Sequence, residues 1–421
     1  MKYGLIAQKL SHSFSKEIHG KLFDYPYELH ELAPEELEDF LRRREFAAIN
    51  VTIPYKEAVI PYLDEISQRA KDIGAVNTIV NRNGKLFGDN TDFLGMVALI
   101  QRAGIVIKDK KVLVLGSGGT SKTAAAVAQH LGCKKVYRVS RSGRDGCITY
   151  QQAAQHSDAQ IIINTTPCGM YPNIDESPVA VENYPCLEGV VDAIYNPLRS
   201  KLVCDAQNIG VRAVGGLYML VAQAVYAAEK FVDRSVPEEK LEEVYGQMMA
   251  QKENIVLIGM PGCGKTTVGK QLARELGAEF IDTDEEIVRV DGRTIPEIFS
   301  QEGEKTFRDM ETEAIGAIAN RQHAVIATGG GAILRPENVR LLKQNGRIYF
   351  IDRPLSELEV TADRPLSCDK EKLARRYQER YEIYLSSCHR RVPSVSDAEH
   401  VAKVIKEDFE DENFGNQRTK Y

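Results

Sequence analysis

The chain has 421 residues, with 54 Lys and Arg set against 60 Asp and Glu for a formal net charge of −6. Neither an excess nor a block of basic residues marks a nucleic-acid surface, and the longest apolar stretch, near Gly215–Ala228, is broken by Gln223 and too short to span a bilayer. The length exceeds the roughly 250–300 residues at which single cores stop growing, so two or three domains are expected.

The eight cysteines, at 133, 147, 168, 186, 204, 263, 368 and 388, show no C-x-x-C and no paired spacing. They read as reduced thiols, not a disulfide framework or a zinc site. MKYGLIAQKL carries only a short apolar run, so no signal peptide is expected and the reading is a cytoplasmic protein. Asn50 and Asn164 fall in glycosylation sequons, which carry no weight without secretion. The partners expected are small molecules, with no nucleic acid and no membrane.

Lys2–Ile6 is a short strand leading into SHSFS. Ser13 and Ser15 lie two residues apart, so an extended loop would present both hydroxyls on one side, a pattern suited to a polyhydroxylated ligand. The competing reading is that they cap the following helix, Lys16–Phe23. A second strand runs from Ala48 toward Glu57 and is stopped by Pro54, which places Lys56 at its end, where a cleft would lie. GAVNT and GDNTD follow, carrying Asn77 and Asp92. Asp92 also fits as the cap of a helix over Phe93–Arg102.

KVLVL, the turn Gly116-Ser-Gly118-Gly119-Thr120-Ser121 and a helix over Thr123–Leu131 form the strand–turn–helix unit that holds a dinucleotide pyrophosphate. The next strand, Lys135–Val139, ends in Ser140-Arg141-Ser142. An NAD binder would carry an acid there for the ribose 2′-hydroxyl, whereas Arg141 suits the 2′-phosphate of NADP. Buried strands are expected at Gln160–Asn164 and Gly189–Ala193, the latter followed by Tyr195-Asn-Pro-Leu. Gly215 and Gly216 open a long helix that carries Gln223, and Val232–Lys252 reads as a terminal helix plus linker.

SHSFS, NVTIPYKE, GAVNT, GDNTD, GSGGTS, YNPL and GGLYMLVAQ together resemble shikimate dehydrogenase over essentially the whole first half. The resemblance implies that Ser13, Ser15, Thr52, Asn77, Asp92, Tyr195 and Gln223 hold the substrate ring and that Lys56 and Asp92 are the catalytic pair. It implies NADP on Gly116, Gly118, Gly119, Thr120, Ser121, Ser140, Arg141, Ser142 and Gly216. The implied reaction reduces 3-dehydroshikimate to shikimate with NADPH. Ala7-Gln8-Lys9 and Lys16 depart from the family pattern, which has Gly-x-Pro and a proline at these places.

The second half opens on NIVLIGMPGCGKTT, which matches G-x-x-x-x-G-K-[ST] between an apolar run and a helical pattern. Glycines let backbone N–H groups curl around a polyphosphate, and the helix N-terminus faces that charge. Lys265 reaches the terminal phosphates and the Thr266 hydroxyl serves Mg²⁺. Glu279–Asp284 reads as a strand ending in two acids, Thr294–Ile318 as a helix, Val325–Ala332 as a strand ending in three glycines, Arg347–Asp352 as a strand and Glu371–Tyr384 as a basic helix. On the helix Phe299 and Phe307 are core candidates, while Arg308 is either a surface charge or an anion clamp.

GMPGCGKTT, FIDTDEEI, IFSQEGEKTFR, TGGGA, RPL and R-x-x-x-Y at Arg380 resemble shikimate kinase. This implies shikimate on Asp284, Arg308, Gly330, Gly331 and Arg380, with Asp284 aligning the attacking hydroxyl. ATP falls to Gly262, Gly264, Lys265, Thr266, Thr267 and Arg364, and Mg²⁺ to Thr266 and Asp282. The lid is short, since only eleven residues separate Asp352 from Arg364, and Asp-Arg-Pro-Leu occurs at both 352 and 363.

The expected fold class is α/β. Residues 1–93 form a substrate domain completed by helices over 216–250, and 94–215 form an NADP-binding Rossmann domain. A P-loop kinase domain with a parallel sheet occupies 251–410, and 411–421 is a disordered tail. The expected function is a bifunctional enzyme of aromatic amino-acid biosynthesis. Two rivals are quinate or another cyclitol acid as dehydrogenase substrate, and a non-catalytic shikimate or nucleotide sensor.

Overall fold

Apolar runs without alternation fold as strands covered on both faces, and that pattern builds the sheets of this chain. The computed structural model describes residues 1–10, 13–358, 370–394 and 397–413. The chain divides into two units, Met1–Tyr245 and Gly246–Tyr421.

The first unit holds two sheets. One has six strands, β1 (Tyr3–Ala7), β2 (Tyr27–Glu31), β3 (Ala48–Val51), β4 (Glu65–Ile66), β5 (Thr78–Arg82) and β6 (Lys85–Asp89), in the order β2-β1-β3-β5-β6-β4. It is mixed, because β5 runs antiparallel to both β3 and β6. Helices α1 (Ser15–Leu22), α2 (Leu37–Arg43), α3 (Tyr55–Ala58) and α4 (Gln68–Ile73) connect these strands, and α5 (Thr91–Arg102) leaves the sheet.

The other sheet is wholly parallel, with β7 (Lys111–Leu115), β8 (Lys135–Val139), β9 (Ile161–Asn164), β10 (Gly189–Asp192) and β11 (Arg212–Val214) in the order β11-β10-β9-β7-β8. Its helices are α6 (Gly119–His130), α7 (Tyr150–Ala153) and α8 (Lys201–Asn208). The chain then forms α9 (Leu217–Val232) and α10 (Glu238–Ala250). Helix α9 packs on α5 backbone to backbone: a Cβ on Gly95 would stand 2.7 Å from the Met219 carbonyl oxygen and 3.0 Å from the Gln223 Cβ.

The second unit is a parallel sheet of β12 (Asn254–Ile258), β13 (Glu279–Asp282), β14 (Ala324–Ala327), β15 (Gly346–Asp352) and β16 (Arg390–Pro393), ordered β13-β14-β12-β15-β16. Its helices are α11 (Lys265–Leu276), α12 (Thr283–Asp291), α13 (Ile295–Ile318), α14 (Pro336–Asn345), α15 (Lys370–Ser387) and α16 (Ala398–Asn413). In both parallel sheets the strand before the glycine turn, β7 or β12, has neighbours reached by connections running in opposite directions. That arrangement opens a crevice at the strands' carboxyl ends.

Five local expectations are corrected. The strand from Ala48 ends at Val51, and Lys56 sits on α3, because the chain turns back at Thr52, whose carbonyl accepts from Tyr55 N. Asp92 does not cap α5: the helix starts one residue earlier than Asp92, and the Asn90 side chain accepts from Phe93 N at 3.1 Å. The strand toward Asp284 ends at Asp282, which caps α12 by accepting from Asp284 N at 3.0 Å. Helix α13 is kinked at Gly303, whose φ of 84° and ψ of 175° belong to a region that only glycine enters freely. Helix α16 continues to Asn413, past the start of the expected tail, and the remaining tail residues lie outside the described ones.

Among the described residues no helix is long and apolar enough to cross a membrane. The seven cysteines described there are unbonded, and Cys368 lies outside them.

One ionisable group sits deep in the first unit. His19 of α1 is fully buried and stacks on Tyr27 at 4.1 Å and Phe231 at 5.5 Å, with Nδ1 hydrogen-bonded to the Tyr25 hydroxyl at 2.6 Å. Burial pushes its pKa from 6.5 down to about 3, with Asn50 opposing. The folded unit therefore holds a neutral imidazole, while the unfolded chain takes up a proton below 6.5. Stability present above that pH is lost as pH falls toward about 3. His19→Gln removes this titration. Between pH 7 and 4.5 the native unit should lose about 2–3 kcal/mol more than the variant, read from urea midpoints.

Candidate active sites

In the first unit a cavity of about 440 Å³ opens where the carboxyl ends of both sheets meet the start of α9. All seven residues expected to hold the substrate ring line it, together with Lys56. Lys56 Nζ of α3 donates to Asp92 Oδ2 of α5 at 2.6 Å, with both side chains mostly buried. Because Asn90 takes the capping role, the Asp92 carboxylate is available to the lysine.

Asn77 is pinned from behind: its Oδ1 accepts from Thr91 N at 2.7 Å and from the Thr78 hydroxyl at 3.0 Å. Asp89, just upstream of Asn90, accepts from Ser67 at 2.6 Å and pairs with Lys230 of α9 at 2.7 Å and with Arg69 at 2.9 Å. Burial works against its charge, but Lys230 and Ser67 outweigh burial and hold the carboxyl below its usual range. Ser13 Oγ accepts from Ser15 N at 3.3 Å, so the first serine shapes the turn that carries the second. Tyr195 meets Phe14 edge to face at 6.0 Å, and burial raises its phenol pKa. Gln223 Nε2 donates to the Leu220 carbonyl at 2.9 Å.

Asn50 also lines this cavity, and the sequence reading missed it as a site residue. It accepts from the Tyr27 hydroxyl at 2.8 Å and donates to the Asn77 carbonyl at 3.3 Å. The signal was its spacing of two from Thr52, which puts both on one face of an extended segment.

The turn after β7 fits a dinucleotide. Gly116 has φ 124°, and a Cβ there would strike Thr165 Oγ1 at 2.4 Å, whereas Gly118 and Gly119 face open space. Helix α6 has Gly118 at its N-cap and no side-chain cap, so its first N–H groups are free for an anion. Thr120 reaches the cavity and Ser121 Oγ closes the turn on the Gly118 carbonyl at 2.8 Å. After β8, Ser140 Oγ accepts from Gly143 N at 3.1 Å, and Arg141 and Ser142 are exposed beyond it. Gly216 lies against Ala193, whose carbonyl oxygen would be 2.3 Å from an added Cβ.

In the second unit a cavity of about 210 Å³ is lined by Gly262, Gly264, Lys265, Thr266, Thr267 and the acids Asp282 and Asp284, with Gly330 opposite. Lys265 Nζ is buried and donates to the Gly259 and Met260 carbonyls at 2.9 and 3.0 Å. Gly264, at φ 100°, starts α11 without a side-chain cap. Thr266 Oγ1 donates to Asp282 Oδ2 at 3.0 Å, a hydroxyl and a carboxylate of the hard-oxygen kind that Mg²⁺ takes alongside phosphate.

The glycine run after β14 is where charges converge. Gly331 lies under the Arg308 guanidinium, 2.3–2.5 Å from where its Cβ would be, and a Cβ on Gly329 would stand 2.5 Å from Asp284 Oδ1. Arg380 Nη1 and the Tyr384 hydroxyl both donate to the Gly330 carbonyl, at 2.9 and 2.6 Å. Arg308 is no surface charge: it is buried and pairs with Glu311 at 2.8 Å and Glu304 at 3.2 Å. Glu311, fully buried, was not foreseen, although its position three residues after Arg308 on one helix face was readable. Burial raises its pKa, with Arg308 opposing and Asp284 reinforcing. Arg364 and most of the short lid lie outside the described residues.

Comparison with known proteins finds matches for both parts of the chain. Residues 5–79 match the family model described as shikimate dehydrogenase substrate binding domain, and residues 261–410 match the one described as shikimate kinase. The NADP(+) shikimate dehydrogenase of Clostridium beijerinckii is 40% identical over 243 residues, covering 54% of this chain and 90% of the relative. That of Geobacillus kaustophilus is 36% identical over 252 residues, covering 54% and 91%. Among solved structures, a chorismate mutase/shikimate 5-dehydrogenase fusion from Clostridium acetobutylicum superposes with a TM-score of 0.56 at 37% identity, over 58% of this chain and 96% of that one. Thermus thermophilus shikimate 5-dehydrogenase, solved with NADP(H) and shikimate, gives 0.53 at 28% identity, over 58% and 98%. With nine-tenths of a 40%-identical relative covered, the chain belongs to the shikimate dehydrogenase family, and it carries a shikimate kinase domain after that part.

Proposed function

We propose that this is a bifunctional enzyme that reduces 3-dehydroshikimate to shikimate in its first unit and phosphorylates shikimate on its 3-hydroxyl in its second. The observation that carries the first half is the Lys56–Asp92 contact of 2.6 Å inside a cavity lined by the expected hydroxyl, amide and phenol groups. NADPH bound on the β7–α6 turn supplies the hydride. The chain's own task is the proton: Lys56 Nζ, oriented by its 2.6 Å contact with Asp92, donates to the oxygen that becomes the new hydroxyl. Asn77 and Gln223 hold the ring's hydroxyls, with Asn77 fixed by Thr91 and Thr78. Arg141, with no acid beside it at the end of β8, favours the 2′-phosphate cofactor.

In the second unit the uncapped start of α11 and Lys265 hold the polyphosphate of ATP, and Thr266 with Asp282 hold Mg²⁺. Asp284 accepts from the attacking hydroxyl, while Arg308 and Arg380 face the carboxylate of the ring acid. Glu311 keeps Arg308 aimed. We place the working boundaries near residues 93, 215 and 250, with the helices after 215 completing the substrate domain.

The test is two assays on one purified chain. Lys56→Ala should lower NADPH-dependent reduction at least 100-fold and leave ATP-dependent formation of shikimate 3-phosphate unchanged. Lys265→Ala should do the reverse. Loss of both activities from either change would sink the two-site reading, and turnover of quinate in place of shikimate would change the substrate.

Glu311→Ala leaves the buried Arg308 with only its exposed partner Glu304. It should destabilise the second unit by about 3 kcal/mol and raise the kinase KM for shikimate, with reduction of 3-dehydroshikimate untouched. Unfolding followed by kinase activity loss reads the first effect, and steady-state kinetics reads the second.

A further inference from the structure

The charges that line the dehydrogenase cavity do not cancel. Its ionised side chains are Lys9, Lys56 and Asp92. Lys56 and Asp92 pair with each other at 2.6 Å, which leaves Lys9 as the uncompensated charge of the wall. Lys9 is exposed, and among the described residues no carboxylate lies within ion-pair distance of its ammonium. It lies two residues past the end of β1, and the chain after it is anchored where Leu10 N donates to Glu31 Oε1 at 2.7 Å. Lys9 thus lines the same cavity as Ser13 and Ser15. The ring acid proposed above carries one carboxylate, and the two serines offer it only neutral donors.

We propose that Lys9 is a substrate-binding residue of the dehydrogenase, supplying the cation for the carboxylate of the cyclitol acid and so setting a preference for acids over neutral analogues. This rests on the reading of the first cavity as the shikimate site. A lysine suits the place. It is long enough to bend toward the mouth, and as a compact point charge it needs no bidentate geometry. Because it is solvated, its pull is modest and falls with added salt. It does not touch the reacting atoms, so its effect belongs in KM and not in kcat.

The experiment measures shikimate oxidation at saturating NADP⁺ for the full chain and for Lys9→Met, Lys9→Arg and Lys56→Ala, with shikimate and with its neutral carboxamide. Lys9→Met should raise KM for shikimate about three- to tenfold, leave kcat within about twofold, and leave KM for the carboxamide and for NADP⁺ unchanged. Lys9→Arg should restore most of the loss. Raising ionic strength should weaken shikimate binding to the native chain more than to Lys9→Met.

An unchanged shikimate KM in Lys9→Met overturns the proposal, and so does an equal rise for shikimate and carboxamide, which would report a disturbed loop and not a lost charge. Lys56→Ala separates the two levels. If it stays active, the site reading itself fails. If it is dead while Lys9→Met matches the native chain, the site stands and only the role of Lys9 falls.

Discussion

An ammonium held 2.6 Å from a carboxylate, both side chains mostly buried, on the wall of a cavity is the interaction around which the first unit is arranged. Either charge alone would be costly there, so the pair must be delivered together. Each partner arrives by a short, rigid route. Lys56 rides on the single turn of α3 directly after β3, and Asp92 sits in the first turn of α5 directly after β6. Three polar side chains hold that second route in place. Asn90 caps α5, Asn77 grips Thr91 N, and Asp89 ties the end of β6 to α4 and α9. Gly95 then lets α9 approach closely enough to bring Gln223 to the same cavity.

The second unit faces the opposite difficulty, an excess of charge around a small space. Its cations are held by acceptors and not left to face one another. Lys265 is held by the Gly259 and Met260 carbonyls, Arg380 by the Gly330 carbonyl and Arg308 by Glu311. The three glycines after β14 make this possible, since a side chain at Gly329 or Gly331 would occupy the positions of Asp284, Glu311 or Arg308. The cost of burying Arg308 is met within its own helix, by an acid one turn further on.

What could be read from the sequence follows from how locally each feature is encoded. The turns at Gly116–Ser121 and Gly259–Thr266 declare themselves within a dozen residues, because strand, turn and helix are contiguous. The expected capping role of Asp92 failed because Asn90, two residues away, fits the same pattern, and only the Lys56 contact decides between them. Asn50 was passed over because its partners, Tyr27 and Asn77, lie 23 and 27 residues away. The roles of Asp282 and Asp284 were separable only once the helix start was known, since one caps α12 and the other stands inside it. Lys9 looked like a departure from a pattern until the cavity gave it a place on the wall.

The two kinds of ligand site differ for the same reason. The proposed phosphate sites are made by backbone: uncapped N–H groups at the starts of α6 and α11, reached over glycines at the open ends of parallel sheets. Such sites depend on chain conformation, so a short motif announces them and they tolerate change in neighbouring side chains. The ring site is made by side chains brought from β3, α3, α5 and α9 and from the loops before α1, before β5 and after β10. No one segment specifies it, and a single substitution can alter what it accepts. Nucleotide chemistry is therefore legible from one stretch of sequence, whereas the identity of the acid depends on many separated positions taken together.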